Sequence, residues 1–584
     1  MAILTGLLAL STAGQRAITS IDPPSAQPGE RVTISGRGLA EVTEVRFDGV
    51  PARFEPVSDS CLIAVIPSGA TPGPVILYSR QQESAPFRYR VQPAYWDDFE
   101  FPDQSPRPQI EFMRFRRPDG TRVAYFAAGD RYLETAFAFL DRYWGPLPDR
   151  ADTPRGFAKA YLPRALKSLG HEPSVALMRH FATSFFEGQD PETKLVAFDP
   201  SSWKSYARER RGGGLTGYQV TQVSDHFLRW FPDDPDLLAR SAALARAMVR
   251  SFDACGGEAR CGIHSVVDSE TGKPLRSVAR PVDFGAMATM AAYVGRAAGD
   301  RSLEEWARRK EEFLWTHRLV PDLPLYADTY SPEGVVQPDE WVTSDTDTLY
   351  NVRRLYQLYE ITGDRSYLDR ALLVTDFWYE RAWSPAFGHF VRKLAPDGTP
   401  GTDMLYGDSM YNTLWVLIHA HRYTGEKRYI DRVKVAWRNL VSMGEDGLVP
   451  RHVQRSGIWA DRGLARNHAN FVEILLEAYD ASGDSELLCE AERYADTIMA
   501  NEERALPNPP TRGSAGAALL RLAMARGPVD RLEVAVPGAS RLRVESADRA
   551  TLLDTLVDAD LAVIYVPRGD YRLFADGKRV SSNK

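Results

Sequence analysis

The sequence predicts a multidomain, mainly helical protein whose body is a closed ring of helical hairpins, an (α/α)6 toroid or barrel, with one β domain before it and a small β region after it. Two observations predict this fold class. A helix, a tight turn and a second helix recur about every 60 residues, far above the roughly 34-residue period of helical solenoids. Short β-forming runs, separated by Gly and Pro, replace this pattern at both ends of the chain.

The hairpin turns carry the clearest repeat. Four of them align position for position, at 299–303, 363–367, 425–429 and 483–487, with weaker copies near Gly170 and Pro232. A Gly at a helix end can take the left-handed conformation, and the Asp or Ser after it can cap the next helix, so each turn predicts two antiparallel neighbours. The candidate helices, including 129–143 and 513–526, number up to 14. The sequence therefore favours six hairpins and leaves seven open.

The helices before and after each turn differ in pattern. The first helix is apolar on most faces, as at 284–292 and 414–418, whereas the second has a single apolar stripe. A helix that is apolar all round is buried, so the first helices are predicted to form the inner ring. Long connections rich in Gly, Pro, Asp and Trp join the hairpins at their other ends, and such loops are usually functional. The inner helices should therefore begin around the mouth of a central cavity.

Length, charge and the N-terminal residues bound the class of protein. A chain of 584 residues holds two or three domains, and a net charge of −7 without a basic run argues against nucleic acid as a partner. Residues 2–10 are apolar and precede small residues, which resembles a signal peptide that lacks its basic start. We expect a signal peptide over 1–16 and a periplasmic, cell-surface or secreted protein, with a plain N-terminal segment as the alternative. No later stretch is apolar enough to predict a membrane span.

The four cysteines comprise one close pair and two single residues. Cys255 and Cys261 enclose five residues in a long connection, which predicts a small disulfide in an oxidising compartment. Metal binding by this pair is the weaker interpretation, because no His-rich segment accompanies it. Cys61 and Cys489 are expected to be buried thiols.

The β domain before the helices shows a family resemblance. The segments 18–23, 28–29, 34–39, 45–49 and 65–67 resemble the IPT/TIG domain. This resemblance implies an immunoglobulin-like β-sandwich over 17–92 and no catalytic residues. Residues 93–124 are interpreted as a linker, and 527–584 as a small β-rich C-terminal domain whose function the sequence does not indicate.

The helical body, 125–526, resembles the six-hairpin glycosidase superfamily in its hairpin repeat and turn pattern. These (α/α) toroids include many glycoside hydrolases, some polysaccharide lyases and sugar epimerases. The resemblance implies a carbohydrate-active enzyme with a poly- or oligosaccharide substrate, although a fold by itself assigns no reaction. The sequence has no phosphate loop, dinucleotide fingerprint or zinc-protease motif, and we expect neither a metal nor another cofactor.

A five-residue motif, Asp-x-x-Tyr-Asn, opens two successive inner helices. It places Asp347, Tyr350 and Asn351 in the first copy, and Asp408, Tyr411 and Asn412 in the second. Residues three and four apart share a helix face, so each copy should point into the cavity, where the two copies are expected to face each other. A helix cap, which Asp345 would also supply, explains one carboxylate at each start but not the repetition.

Other inner helices also open with polar residues. The further candidates are Tyr218, Gln222, Arg280, Asp283, Arg466 and His468, with Trp341 in the connection before Asp345. An ion pair is an equal explanation for Arg280 and Asp283, and a hydrogen-bonded core histidine is one for His468. Together these groups supply the planar hydrogen-bonding and aromatic surfaces that bind sugars.

Glycoside hydrolysis needs one carboxyl group that protonates the leaving oxygen and one carboxylate that activates water or attacks the sugar. We expect Asp347 and Asp408 to form this pair, with Asp345 and Asp283 as substitutes. The sequence does not assign the acid and the base, or inversion and retention.

Two other functions stay open. In a lyase or epimerase of uronic sugars, Tyr350, Tyr411 or His468 would move the proton beside the sugar carboxylate, and Arg466 would neutralise the developing charge. In a glycan-binding protein, the toroid would hold a sugar without cleaving it.

Overall fold

The computed structural model divides the chain into two compact units, which we describe separately. One comprises residues 1–102 with 458–462, and the other 103–457 with 463–584. The structure describes residues 17–22, 25–26, 31–67, 70, 73–79, 84–91, 114–117, 119–144, 166–187, 189–196, 214–217, 227–256, 261–334, 343–385, 388–400, 404–454, 464–465, 468–506, 509–536 and 539–582.

The first unit is built from eight short strands. They are β1 (Ala17–Asp22), β2 (Ser25–Ala26), β3 (Arg31–Arg37), β4 (Glu44–Phe47), β5 (Val50–Ser58), β6 (Cys61–Val65), β7 (Gly73–Tyr78) and β8 (Phe87–Val91). Hydrogen bonds link them in the order β1-β3-β6-β5-β4-β7-β8-β2. Alternate residues such as Val32, Ile34, Leu62 and Ala64 form one apolar core. The strand pattern read from 18–91 thus produces a β domain with its own core.

The body of the second unit contains long helices. They are α1 (Arg131–Trp144), α2 (Glu172–Glu187), α3 (Pro235–Phe252), α4 (Pro281–Ala298), α5 (Arg301–Thr316), α6 (Asp345–Thr362), α7 (Arg365–Arg381), α8 (Gly407–Thr424), α9 (Lys427–Ser442), α10 (Ala469–Ser482), α11 (Ser485–Ala500) and α12 (Pro509–Arg526). Helices α4/α5, α6/α7, α8/α9 and α10/α11 are the four hairpins that the aligned turns predict.

The hairpin turns have the predicted local structure. Gly299 ends α4 with φ 67° and Gly483 ends α10 with φ 69°, both in the left-handed region. The side chain of Asp364 accepts the Ser366 backbone N–H at 2.9 Å, and Asp300 and Asp484 cap their helices in the same way. We call this end of the body the turn rim, and the end with the long connections the connection rim.

The inner ring is confirmed by the contacts between helices. Helices α4, α6, α8, α10 and α12 pack against one another in chain order, and α12 packs against α1. Every residue of α4 from Pro281 to Ala292 is buried, whereas α9 buries one stripe. The described residues contain five packed helix pairs, and α2 and α3 follow the turns near Gly170 and Pro232.

Short antiparallel ladders tie the starts of the inner helices to the following connections. The strands of the connection rim are β11 (Gly214–Thr216), β12 (Val266–Asp268), β13 (Pro274–Arg276), β14 (Thr343–Ser344), β15 (Trp383–Ser384), β16 (His389–Phe390), β17 (Lys393–Leu394), β18 (Met404–Tyr406) and β19 (His452–Gln454). Strand β14 directly precedes α6 and pairs with β17, and β18 directly precedes α8 and pairs with β19. The bridge between Ala279 and Tyr330 does the same before α4.

Two four-stranded sheets complete the second unit. Their strands are β9 (Arg114–Arg116), β10 (Arg122–Ala127), β20 (Val529–Ala535), β21 (Ala539–Ser546), β22 (Thr551–Asp558), β23 (Leu561–Pro567), β24 (Tyr571–Ala575) and β25 (Lys578–Val580). One sheet has the order β20-β23-β10-β9 and the other β22-β21-β24-β25, and they share one apolar core. Strands β9 and β10 begin inside the stretch interpreted as a linker, and β10 pairs in parallel with β23.

The cysteines only partly match their predictions. Cys255 and Cys261 form a disulfide with Cα atoms 5.7 Å apart. Cys61 is half-buried and Cys489 is exposed, so the expectation of two buried thiols is wrong. Over the described residues, every helix is too short or too polar to cross a membrane.

Candidate functional site

The structure describes the predicted site residues to different extents. Tyr218, Gln222, Trp341 and Arg466 lie outside the described residues. For Asp345, Asp347 and Asp408 only the backbone is described, and it lies in the first turns of α6 and α8. The roles predicted for these seven residues therefore stay predictions.

The ladders of the connection rim fix the two helix starts that carry the Asp-x-x-Tyr-Asn motif. Ser344, directly before α6, pairs with Lys393, and the N–H of Gly407, the first residue of α8, donates to the carbonyl of Arg451 at 2.7 Å. Because α6 and α8 pack against each other, the two copies lie side by side on neighbouring helices. The expectation that they face each other across a cavity is wrong.

Arg353 joins the two copies. Its Nη1 donates to Oδ1 of Asn412 in the second copy at 2.9 Å. Its guanidinium carbon lies 5.7 Å from the ring centre of Tyr350 in the first copy, 5.6 Å from that of Tyr411 in the second, and 4.5 Å from that of Trp415. Cation–π attraction operates over such distances. Sequence reasoning missed Arg353, although the adjacent arginines 353 and 354 in the middle of an inner helix were the available signal.

Asn351 interlocks α6 with α4. Its side chain is fully buried, and neither Nδ2 nor Oδ1 of its amide has a hydrogen-bond partner among the described residues. A Cβ atom added at Gly285 of α4 would lie only 2.1 Å from Oδ1 of Asn351 and 2.9 Å from Cβ of Arg354. The glycine thus allows the two inner helices to approach closely, and Asn351 contributes to packing.

Arg354 is the second residue that sequence reasoning missed. It is buried, donates from Nη1 to Oε1 of Gln357 at 2.8 Å, and donates from Nη2 to the hydroxyl oxygen of Tyr350. These bonds hold the Tyr350 ring against α6. The side chain of the motif tyrosine is therefore positioned by its own helix.

Asp283 and Arg280 form the local contacts of a helix start. Oδ2 of Asp283 accepts the backbone N–H of Arg280 at 3.1 Å and lies 3.4 Å from its Nε, and the Asp283 side chain is only 4% exposed. Capping and ion pairing account for both residues. Asp283 is accordingly less available for acid–base chemistry than a carboxylate free of such contacts.

His468 precedes α10 and is fully buried. Its Nδ1 lies 2.6 Å from the hydroxyl of Tyr494, while Nε2 has no partner among the residues that the structure describes. Burial lowers the pKa of His468 to about 4, so the imidazole is neutral near pH 7. The Tyr494 hydroxyl accepts the backbone N–H of Val449 and so can donate to Nδ1, which places the proton of the neutral ring on Nε2 as an unused donor.

A series of side-chain contacts continues from the motif along α8 and reaches α10. His419 stacks on Trp415 with ring centres 3.4 Å apart, and its Nε2 lies 3.3 Å from Nη1 of Arg422. Burial, followed by the charges of Arg422 and Arg353, holds the pKa of His419 well below 6.5. Arg422 in turn pairs with Glu477 of α10 at 2.9 Å. Arg422 is therefore compensated by Glu477 and His419 is neutral near pH 7, which leaves Arg353 as the positive charge that these contacts place beside the motif.

Two carboxyl groups near the inner helices have raised pKa values. Burial raises the pKa of Glu311 to about 7, against the opposing charge of Arg370 and a contact with the Asn351 amide. Burial and the nearby Glu477 carboxylate raise the pKa of Glu473 to about 8, against the charge of Arg521. Such shifts concentrate at functional sites but also occur in structural networks. The sequence analysis identified neither residue.

No group of three or more His, Cys, Asp or Glu side chains that could hold a metal ion occurs among the described residues.

Comparisons with known proteins bear on both units. Residues 17–89 match the IPT/TIG domain family, which confirms the resemblance of the first unit. A search of curated proteins found no match. The solved structures similar to this chain include a sugar epimerase from a ruminal bacterium, with 13% identity, a TM-score of 0.46, and coverage of 59% of this chain and 98% of that chain.

Two further similar structures are of enzymes with other names. An α-1,2-mannosidase from Trichoderma reesei has 12% identity, a TM-score of 0.45, and coverage of 67% of this chain and 91% of that chain. An unsaturated glucuronyl hydrolase specific for heparin has 13% identity, a TM-score of 0.40, and coverage of 62% of this chain and 97% of that chain. At these scores the likenesses concern the helical architecture alone.

Proposed function

We propose that the helical body is a carbohydrate-active enzyme that hydrolyses glycosidic bonds of a poly- or oligosaccharide at the connection rim. The observation that carries the proposal is the backbone placement of Asp347 and Asp408 in the first turns of two packed inner helices. One carboxyl group would protonate the leaving oxygen, and the other would activate water or attack the sugar.

The surroundings of the two aspartates support this pair. Arg353 links the copies of the motif through Asn412 and the tyrosine rings, so the two helix starts form one site. Asp283 serves its own helix start through Arg280, which leaves Asp345 as the first substitute for either member of the pair. Aromatic rings beside hydrogen-bonding groups suit a sugar ring.

A second candidate function is proton abstraction from a uronic sugar, by a lyase or epimerase. His468 bears on it, because its Nε2 has no partner among the described residues and, as an N–H, would donate to the sugar carboxylate, while Tyr350 or Tyr411 would serve as the base. A base of this kind abstracts the proton beside the sugar carboxylate, and a cation stabilises the charge that develops.

The test is a panel of neutral and acidic polysaccharides and their oligosaccharides, with three readouts for each. New reducing ends without unsaturation indicate hydrolysis, ultraviolet absorbance of unsaturated products indicates a lyase, and deuterium uptake from heavy water without chain cleavage indicates an epimerase. If the protein turns over none of these substrates, the enzymatic proposal is wrong.

Variants assign the residues. Asp347→Asn and Asp408→Asn should each lower the turnover of the hydrolysed substrate roughly 100-fold or more. Asn retains a cap's hydrogen bond, so the thermal midpoint should stay near that of the parent. The matched control is Asp364→Asn at the turn rim, which changes the same groups in a helix cap and should leave turnover unchanged. Parental rates in both site variants would remove these residues from the mechanism, and loss of activity in His468→Gln alone would favour the second candidate.

A further inference from the structure

Arg353 carries a charge that nothing in the described part of the chain neutralises. It is half-buried on α6, and the one hydrogen bond that it makes within the described residues goes to the neutral amide of Asn412. No described carboxylate lies within ion-pair distance of its guanidinium. Removing a cation from water without a counter-charge costs free energy. This arrangement therefore suits a residue that binds an anionic ligand.

Three other buried or half-buried cations of the same unit have carboxylate partners. Lys310 lies 3.1 Å from Asp253, Lys393 lies 3.5 Å from Asp328, and Arg521 lies 3.1 Å from Glu477. These pairs show how the fold compensates a buried charge that serves structure alone. Arg353 departs from this pattern at the point where the two motif copies meet.

The shape of the surroundings defines the anion further. The rings of Tyr350, Tyr411 and Trp415 lie 4.5–5.7 Å from the Arg353 guanidinium carbon and offer faces on which a sugar ring can stack. Only Nη1 is engaged among the described residues, so the guanidinium retains parallel N–H donors. Two parallel donors match a planar carboxylate, which accepts both bonds at once.

We propose that Arg353 binds the carboxylate of a uronic acid residue, and that the substrate of this protein is an acidic poly- or oligosaccharide. This inference rests on the proposed function, since it names the substrate class of the same site.

The first experiment needs no variant. Affinities are measured by calorimetry for oligosaccharides of galacturonate, of mannuronate and of hyaluronan, each compared with its carboxyl-reduced form. At least one acidic oligosaccharide should bind about 10-fold or more tightly than its reduced counterpart, since that preference corresponds to a charge-assisted bond. Equal affinity for every acidic and reduced pair would overturn the inference.

Variants place the preference on Arg353. Arg353→Gln should lose the preference for the acidic form and keep the affinity for the reduced form. Arg353→Lys should keep part of the preference, because its ammonium retains the charge but not the parallel N–H donors of the guanidinium. The matched control is Arg432→Gln. Arg432 lies 4.2 Å from the ring centre of Tyr379 and 4.1 Å from that of Trp383 on the outer helices, so it shares the aromatic surroundings without the motif.

The outcomes separate this inference from the proposed function. If neutral oligosaccharides bind and react as well as acidic ones, the acidic-substrate inference is wrong and the proposed enzyme stands. If no oligosaccharide binds or reacts, both are wrong. If Arg353→Gln loses affinity for acidic and reduced forms equally, the residue acts in packing, and the inference is also wrong.

Discussion

The two rims of the helical ring place similar residues at helix ends and surround them differently. At the turn rim, Asp300, Asp364 and Asp484 each accept a backbone N–H two residues further on, and Asp300 and Asp484 also pair with Arg246 and Lys434 of neighbouring helices. The Ser302 hydroxyl and then Arg246 lower the pKa of Asp300. At the connection rim, burial moves the pKa of Glu311 in the opposite direction, to about 7.

This difference separates stability from function within one repeat. The turn rim satisfies its polar groups with helix caps and surface ion pairs, so its residues can be explained without a ligand. The connection rim brings charged and polar groups from several helices into a desolvated interior, where they are costly unless each has a partner. Changes at the two rims should therefore have different consequences.

The largest contrast is expected between two glycines. Gly285→Ala should destabilise the protein by about 3 kcal/mol and disturb the site, because the new Cβ would meet Asn351 Oδ1 at 2.1 Å and Arg354 Cβ at 2.9 Å. At the turn rim, the Cβ of Gly363→Ala would have no atom within 4 Å. Its φ of 76° is unfavourable for Ala, so this variant should lose about 1 kcal/mol of stability and keep its activity. Urea denaturation with an activity assay measures both. Equal destabilisation would contradict the close helix approach at Gly285.

The next contrast concerns pH. The pKa of Glu311 is raised above its unfolded value to about 7, so the folded protein loses stability as pH rises from about 4.5 to about 7. Glu311→Gln stays neutral and, relative to the parent, should gain about 1–3 kcal/mol between about pH 5 and about pH 8. The control is Glu305→Gln on the same helix, where Arg308 lowers the pKa of an exposed carboxylate. A parallel pH profile for parent and Glu311→Gln would contradict the buried carboxyl group.

A smaller effect is expected for the caps. Asp364→Ala should cost about 1 kcal/mol, because the Ser366 N–H loses its acceptor, while Asp364→Asn should cost only a few tenths. Neither should alter turnover. Thermal unfolding of the two variants measures the difference, and a large loss in both would indicate a tertiary role for this carboxylate.

The smallest effect is expected for an exposed ion pair. Arg365 and Asp369 lie 2.8 Å apart on the surface of α7, with side chains more than half exposed. Asp369→Asn should change stability by about 0.3 kcal/mol or less at moderate salt, and the change should vanish at high salt. A loss above about 1 kcal/mol would show that the turn rim depends on more than helix caps and surface ion pairs.

Local chemistry explains which parts of the fold the sequence predicts. The turns at Gly299 and Gly483 depend on a left-handed glycine and a cap, which lie within a few adjacent residues. The seam between Gly285 and Asn351 depends on two helices more than 60 residues apart, so no single segment shows it. Strand β10 was missed for the same reason, since its partner β23 lies near the other end of the chain.

The candidate site follows the same division. The repeated Asp-x-x-Tyr-Asn motif is visible in sequence, and the structure brings its two copies together on packed helices. Their bridge, Arg353, becomes visible only when the neighbouring helix supplies Asn412 and Trp415. Asn351, predicted as a sugar ligand, is buried against α4, because the side chain of a helix residue meets whatever the adjacent helix presents.

The parallel pairing of β10 with β23 determines when the body can assemble during synthesis. The backbone N–H of Arg122 donates to Asp560, 438 positions later, and α1 packs on α12. Strand β10 and helix α1 therefore leave the ribosome with apolar surface exposed, and their partners β23 and α12 emerge much later. A nascent chain that stops after α12 would hold every helix that the structure describes in the ring and still lack the strands that cover Ala124 and Ala128. Premature termination near the end should thus yield aggregation rather than a shortened enzyme.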